Sequence, residues 1–427
     1  MKPGLSTFAM LKERGLVAQT TGEEALTALL DDPKGIAFYI GFDPTGSSLH
    51  VGHLVTLMTV RHLAQAGHRP IIIVGGGTAR VGDPSGKSQM RPMLDTGTIA
   101  ANVRCIQGQI ERLVPGTAVQ VVNNAEWLEG LGYIDFLRDI GRHFSVNRML
   151  SMEAYKARMA QGLSFIEFNY QLLQAYDYLE LHKRYKCVLE LGGDDQWGNI
   201  LAGVDLIRRV TGAKVEGLTV PLLTTASGAK MGKTAQGAVW LDPGRLSAND
   251  YYQFWINVAD ADVARFLRIF TTLPLTQISD GALQAAPIQA VKSVLAYECC
   301  ALLHGQEAAR AAHLSAQGAF GGKEIPADVV PASTVPRSAQ SNPEAVPTLT
   351  LSAEQLAPGL SVVELLVTLG WCASNNAARR LIAQRSVRLA DALITEANQL
   401  LTAADLQDGA KMLRAGKRRV HRLALGS

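Results

Sequence analysis

From residue 36 to about residue 223, short apolar runs alternate with stretches of helical period. IAFYIGF, PIIIVGG, AVQVVNN, CVLELGG and LTVPLL are short and evenly apolar, so they predict strands buried on both faces. Between them, segments such as 51–66 and 101–113 repeat their apolar positions at helical spacing. That alternation predicts an α/β fold, a mostly parallel sheet with helices on its faces. Such sheets bind ligands beyond the carboxyl ends of their strands, and the polar, glycine-bearing stretches of this chain fall at those ends. After residue 244 the strand signal fades, and SANDYYQFWINVADADVARFLRIFTTL and AAPIQAVKSVLAYECCALLHG read as helices. Residues 321–358 are rich in Pro, Ala and Ser and hold no aromatic residue, which predicts a linker. A compact segment follows from about residue 360 to the end, and no internal repeat is visible.

Length and composition narrow the picture. A chain of 427 residues exceeds one ordinary core and predicts two or three domains. Apolar residues make up 47% and charged residues 19%, so most of the chain should fold. The opening run MKPGLSTFAMLKERGLVAQT lacks the apolar core and cleavage site of a signal peptide. No apolar run approaches membrane-spanning length. Cys105, Cys187, Cys299, Cys300 and Cys372 are scattered and lack a C-x-x-C pair. They predict neither a disulfide framework nor a cysteine zinc site, and fit a reducing cytoplasm. The net charge of +3 is uninformative alone, but its distribution is uneven. From Ser361 onward ten Lys and Arg face five Asp and Glu, with Arg379, Arg380, Lys417, Arg418 and Arg419 locally clustered. On charge alone a solvated face and a module gripping a phosphate backbone are equally good readings.

Five stretches carry chemistry. In GFDPTGSSLHVGHL, His50 and His53 share a helix face after a strand and a turn. No third ligand completes a zinc site beside them, since His62 and His68 lie off that face. With Thr45, they stand where a helix amino terminus offers N–H groups to phosphate. GGGTARVGDPSGKSQMR contains Gly-Lys-Ser, but only three residues separate Gly82 from Gly86, so it is no P-loop. What remains is a basic loop with Lys87, Arg91 and the carboxylate of Asp83. In EFNYQLLQAYDYLEL, Tyr170, Gln174 and Asp177 sit at i, i+4 and i+7 and form one helix column. That column is either a solvated face or a pocket wall able to hold an ammonium group and a hydroxyl. LGGDDQWGNI offers Gly192 and Gly193 for close backbone approach, with Asp194, Asp195 and Gln196 as polar ligands. LTTASGAKMGKTAQG reads as a mobile loop whose Lys230 and Lys233 can neutralise a departing polyphosphate.

Together these stretches resemble the bacterial tyrosyl-tRNA synthetases of the class I superfamily, over nearly the whole chain. HVGH is similar to that family's HIGH signature and KMGKT to its KMSKS signature. FYIGFDPTGSSLHVGHL, GDPSGKS, HFSVNRML, LQAYD and GGDDQWGNI follow the family's order and spacing. The resemblance implies a Rossmann-like catalytic domain over 1–240, with an inserted connective and dimer segment at about 110–165. It further implies a helical, anticodon-binding-type domain over 241–322, a linker over 323–358 and a small α+β S4-like RNA-binding domain over 359–427. The implied reaction is attack of the tyrosine carboxylate on the α-phosphate of ATP, then transfer of tyrosyl to the end of tRNA(Tyr). Mg²⁺ would accompany ATP, held mostly by phosphates and water, with no metal site of the protein's own. A homodimer in the cytoplasm is implied as well.

By the same resemblance, Thr45 and His50 contact pyrophosphate and His53 is the second HIGH histidine. Lys87, Arg91, Lys230, Lys233 and Thr234 complete a basic clamp on ATP. Tyr39 and Asp177 bind the phenol hydroxyl, and Asp83, Tyr170 and Gln174 hold the ammonium group. Gly41, Asp43, Gly193, Asp195 and Gln196 surround the ribose and the activated carboxyl, Gln196 on the tyrosine side. Arg379, Arg380, Lys417, Arg418 and Arg419 face RNA. Asp194 departs from the family pattern, where a small serine is frequent, and so do Ile40, Met231 and Gly232. The competing readings are a tryptophanyl-tRNA synthetase, against which the Tyr39 and Asp177 pair argues, and a non-catalytic RNA-binding relative.

Overall fold

The computed structural model describes residues 5–426 apart from 86–94, 117, 161, 227, 229–230, 232, 235–236, 340–345, 391 and 417–418. Lys87, Arg91, Lys230, Lys417 and Arg418 therefore lie outside the described residues. The chain divides into two compact units, Met1–Leu246 with Ala261–Ala282, and Ser247–Asp260 with Leu283–Ser427.

In the first unit, the five expected runs supply β1 (Ala37–Phe42), β2 (Arg69–Val74), β3 (Gln120–Asn123), β4 (Cys187–Gly193) and β5 (Glu216–Val220). They form one sheet in the order β3-β2-β1-β4-β5, and every neighbouring pair is parallel. The middle strands are buried almost throughout, which is why their sequences are continuous apolar runs. Helices α1 (Thr7–Arg14) and α2 (Glu23–Leu30) precede β1. Helix α3 (Val51–Gln65) leads from β1 to β2, and α4 (Thr96–Leu113) from β2 toward β3. Four short helices follow β3: α5 (Ala125–Leu128), α6 (Tyr133–Asp139), α7 (Val146–Leu150) and α8 (Glu153–Met159). Then α9 (Phe165–Tyr185) enters β4, and α10 (Trp197–Thr211) joins β4 to β5. The chain moves outward from β1 to β3 and resumes on the other side of β1 at β4. The strand order thus reverses between β1 and β4, where open α/β sheets form their ligand crevice.

Helix α9 is fixed at its start by local chemistry. The Ser164 hydroxyl accepts from the Glu167 N–H, and the Glu167 carboxylate accepts from the Ser164 N–H at 3.1 Å. The same carboxylate meets the buried Arg158 guanidinium at 3.0 Å. A charge pair out of water is tolerable only when so fully bonded, and removing one partner should be costly.

His62 of α3 is buried, and its Nε2 makes no hydrogen bond among the described residues. Burial, aided by Arg14 and Arg61, lowers its pKa to about 3. The folded protein thus refuses a proton that the unfolded chain accepts near its ordinary 6.5. The sign follows: this contribution is complete above about pH 6.5 and is lost as pH falls toward 3. We expect His62→Leu to flatten the fall in melting temperature between about pH 7 and pH 5. Parallel melting curves of the two proteins across that range would disprove it.

In the second unit, α11 (Ala248–Ile256), α14 (Ile288–His304) and α15 (Gln306–Phe320) pack together. A five-stranded sheet of order β11-β10-β13-β14-β8 forms the carboxyl-terminal part, from β8 (Thr348–Leu351), β10 (Val387–Leu389), β11 (Ala392–Leu393), β13 (Lys411–Ala415) and β14 (Arg419–Leu425). Its core includes Leu366, Ile382, Val387 and Leu423, with α17 (Val362–Thr368) and α18 (Asn375–Ala383) packed on it.

The two compact units divide the helical block read over 241–322: α11 lies in the second unit, while α12 (Asp260–Phe270) falls chiefly in the first. The reason is visible at Arg14, whose buried guanidinium donates to the carbonyls of Arg268, Thr271 and Leu273 at 2.8–3.0 Å. Residues 323–358, read as a linker, are packed in part. Ile325, Val329, Val330 and Val335 are buried, and Arg337 donates to the carbonyls of Pro326, Val329 and Val330. Further on, β8 pairs with β14 in parallel. Among the described residues no helix is long and apolar enough to cross a membrane.

Candidate active site

The crevice is built on the carboxyl ends of β1 and β4 and on one face of α9. The expected helix column is turned away from solvent: Tyr170 and Asp177 are buried and Gln174 is partly so. The Asp177 carboxylate accepts from Trp127 Nε1 at 2.7 Å and from Asn124 Nδ2 at 2.9 Å. Asn124 also donates to Thr78 Oγ1 at 3.0 Å, and Thr78 donates to Asp43 Oδ1 at 2.9 Å. The other Asp43 oxygen accepts from the Tyr170 hydroxyl at 3.1 Å. A second array runs through the amides. Gln196 Nε2 donates to Asp83 Oδ2 at 2.8 Å, and the other Asp83 oxygen accepts from the Ser85 N–H. Asn199 Nδ2 donates to Gln196 Oε1 at 3.1 Å and to Gln174 Oε1 at 2.9 Å. Gln174 Nε2 then donates to Glu190 Oε1 at 3.1 Å. Tyr39 is buried on β1, in register with Glu190 on β4.

Burial makes this site unusual electrically. It pushes Asp177 up to about 8, against the downward pull of its Asn124 and Trp127 bonds, with Glu190 and Asp43 adding to the rise. It pushes Glu190 up to about 7, while Tyr39 and Gln174 pull it back. The Tyr39 hydroxyl is raised well above its ordinary value, first by burial and then by Glu190.

His50 is the residue capping α3, in extended backbone conformation. Its Nδ1 accepts from the Gly52 N–H at 3.0 Å, and His53 Nδ1 accepts from the His50 N–H at 3.1 Å. The two rings stack with centroids 4.0 Å apart and planes at 29°. With Nδ1 accepting in both, each neutral ring carries its proton on Nε2, a donor suited to a phosphate oxygen. Position 52 must be glycine, because a Cβ there would lie 2.7 Å from His50 Cε1. The chain after the second signature returns to this point: His50 bridges to Trp240, and Val51 N–H donates to the Val239 carbonyl at 2.9 Å. The Met231 carbonyl oxygen lies 3.9 Å from where the Gly52 Cβ would be, so the two signatures meet.

The remaining expected residues are placed as follows. Gly41 is exposed near the end of β1, and Thr45 is exposed just beyond, its N–H donating to the Asp43 carbonyl at 2.8 Å. Gly193 ends β4, where a Cβ would lie 2.7 Å from Asp195 Oδ1. The backbones of Lys233 and Thr234 form a short strand paired with Gly237–Ala238. Asp194 Oδ1 accepts from Gln19 Nε2 at 2.7 Å and Thr219 Oγ1 at 2.9 Å, so the departure at this position ties β4 to β5 and to the amino-terminal segment. Arg379 and Arg380 are exposed on α18, whereas Arg419 of β14 donates to the Trp371 carbonyl. Thr78, Asn124, Trp127, Glu190 and Asn199 belong to the arrays without having been anticipated. Only Glu190 left a signal, as the one charged residue within the five apolar runs.

Comparison with known proteins decides between the remaining readings. Residues 32–321 match the family model of tRNA synthetases class I (W and Y). The chain is 49% identical over 430 residues to a tyrosine--tRNA ligase of Desulfosudis oleivorans, covering 99% of each chain. It is 48% identical over 427 residues to that of Desulfatibacillum aliphaticivorans, again covering 99% of each. The chain belongs to the tyrosine--tRNA ligases. Its fold superposes on a C-terminally truncated Aspergillus nidulans mitochondrial tyrosyl-tRNA synthetase with a TM-score of 0.66 at 31% identity. That match covers 74% of this chain and 94% of the other. The tryptophanyl alternative shares the family model, and the full-length relatives set it aside. As a class I synthetase the chain uses ATP as a substrate.

Proposed function

We propose that the two buried arrays are the tyrosine pocket and that the histidine pair is the pyrophosphate site of the ligase reaction. The observation carrying this reading is the α9 column, which presents Tyr170, Gln174 and Asp177 on one wall, each held by a bond from or to another element. Tyr39 and Asp177 read the phenol hydroxyl. Asp83, Tyr170 and Gln174 hold the ammonium group, and Gln196 faces the carboxylate. Gly41, Asp43, Gly193 and Asp195 line the ribose. The attacking carboxylate needs no base, so catalysis rests on positioning and on stabilising charge as pyrophosphate leaves. Thr45, His50 and His53, with Lys87, Arg91, Lys230, Lys233 and Thr234, supply that stabilisation. Among the described residues no three His, Cys, Asp or Glu side chains stand close enough to cage a metal. Mg²⁺ would come with ATP, on phosphates and water. Exchange of labelled pyrophosphate into ATP, with each amino acid in turn, tests the reading; exchange supported by tryptophan and not by tyrosine would end it.

The partners follow. Tyr133, Ile134, Val146, Met159 and Phe165 are more than half exposed within the segment read as the dimer contact. A solvated apolar patch of this kind suits a second copy of the chain in a cytoplasmic homodimer. A monomeric mass by sedimentation equilibrium would rule that out. The basic carboxyl-terminal unit, read as an S4-like module, contacts tRNA phosphates. A chain ending at Pro347 should still form adenylate, yet bind tRNA more weakly and with a shallower salt dependence, because fewer counterions are released. Equal tRNA affinity and salt slope for the two chains would remove the module from tRNA binding.

A further inference from the structure

Glu190 has no obvious reason to exist as a structural residue. It sits mid-strand on β4, 1% exposed, among Leu189, Leu191 and Cys187. Buried carboxyls are normally paired with a cation, because the desolvation cost is large. The groups that face this one are different. From its own strand comes the buried Cys187 thiol, from β1 the Tyr39 hydroxyl, and from α9 the Gln174 amide, the Asp177 carboxyl and the Tyr178 phenol. Oε1 accepts from Gln174. Oε2 and the Tyr39 hydroxyl are both buried and make no aligned hydrogen bond among the described residues, although they interact electrostatically. The neighbouring helix leaves room for Oε2: a Cβ on Gly203 of α10 would lie 3.1 Å from it. The carboxyl thus stands between the two ends of the pocket. On one side is the amide of the ammonium end, and on the other the hydroxyl of the phenol end.

We propose that Glu190 is a positioning residue for tyrosine, one that orients the Gln174 amide and seats the Tyr39 ring and so sets the spacing between the ammonium and phenol ends of the pocket. This rests on the pocket assignment given above. Gln174 has the two polar atoms of its amide to commit. Asn199 occupies its oxygen, and Glu190 draws its nitrogen to β4, so the amide plane is fixed from both sides. Tyr39 is fixed by the β1–β4 register and by its ring contact with Tyr178, 5.1 Å between centroids. Glu190 is in direct reach of both. A residue placed for stability alone would be better replaced by an apolar one of the same size.

The test separates the two roles. Glu190→Leu keeps the volume and removes the acceptor; Glu190→Gln keeps both. We expect the Leu protein to stay folded, with a tyrosine KM in pyrophosphate exchange raised at least about tenfold, and an unchanged ATP KM. The Gln protein should stay within about threefold of wild type for tyrosine, since its amide oxygen still accepts from Gln174. A Leu protein with wild-type tyrosine KM overturns the proposal. So does a Gln protein as weak as the Leu one, or an ATP KM rising in parallel. If the Leu protein does not fold, Glu190→Met takes its place. Asp177→Ala is the control: should it also leave tyrosine KM unchanged, the pocket assignment itself fails, whereas a raised KM there with a normal Leu protein defeats only the role of Glu190.

Discussion

His50→Ala is expected to lower the rate of tyrosine-dependent pyrophosphate exchange by about 10²- to 10³-fold, the scale of losing one donor to developing charge. Tyrosine affinity should stay within about twofold, because the His50 Nδ1 is engaged with the Gly52 N–H at the start of its own helix. The residue does two jobs, and the second must be separated from the first. Its Nδ1 caps α3 by accepting the Gly52 N–H, so alanine should also cost about 1 kcal/mol of stability. Asparagine is a good cap but cannot present the imidazole Nε2–H. His50→Asn should therefore recover the stability and little of the rate. Single-turnover formation of adenylate, alongside tyrosine titration, measures both. Tyrosine affinity lost in proportion to rate would show that His50 acts on the ground state.

The histidine pair shows what a sequence can and cannot disclose. Its position after a strand and at a helix start was legible from spacing alone. The mutual capping was not, since each ring accepts from the backbone in a way that no residue pattern encodes. The sheet was legible for a plain reason: strands buried on both faces must be apolar throughout, and β1, β2 and β4 are. The α9 column was legible as a column, while its choice between solvent and the interior was not. That choice was made by Asn124, Trp127 and Asn199, which come from segments distant in sequence and carry no periodic signal. The packing of the stretch 323–358 was not legible, because Pro, Ala and Ser are also what a packed irregular chain uses. Its valines turn inward, and Arg337 gathers the carbonyls that regular structure would have satisfied.

Asp177, proposed to read the phenol, depends on its supports, and it gives the other large expected effect. Each carboxylate oxygen already accepts one bond, from Trp127 or from Asn124, and each keeps a lone pair. A substrate phenol can donate to one of them, and phenylalanine leaves it empty. Asparagine is the natural conservative change and should be a poor one. Its NH₂ group must face either the indole N–H or the Asn124 NH₂, donor against donor, in a buried site. Leaving a buried donor unsatisfied costs about 1–3 kcal/mol, so Asp177→Asn should raise the tyrosine KM by roughly 10- to 100-fold. Phenylalanine makes no bond to this group, and its KM should move less than about threefold; the ratio between the two amino acids should collapse accordingly. Pyrophosphate exchange measured with each amino acid reads the ratio directly. Unchanged KM values for both amino acids in Asp177→Asn would mean that the phenol is read elsewhere. A change in both KM values by the same factor would mean that Asp177 only holds the wall together. A wild-type ratio restored by Trp127→Phe in the asparagine background would point to the indole as the misplaced donor, because it removes the very N–H that asparagine cannot accept.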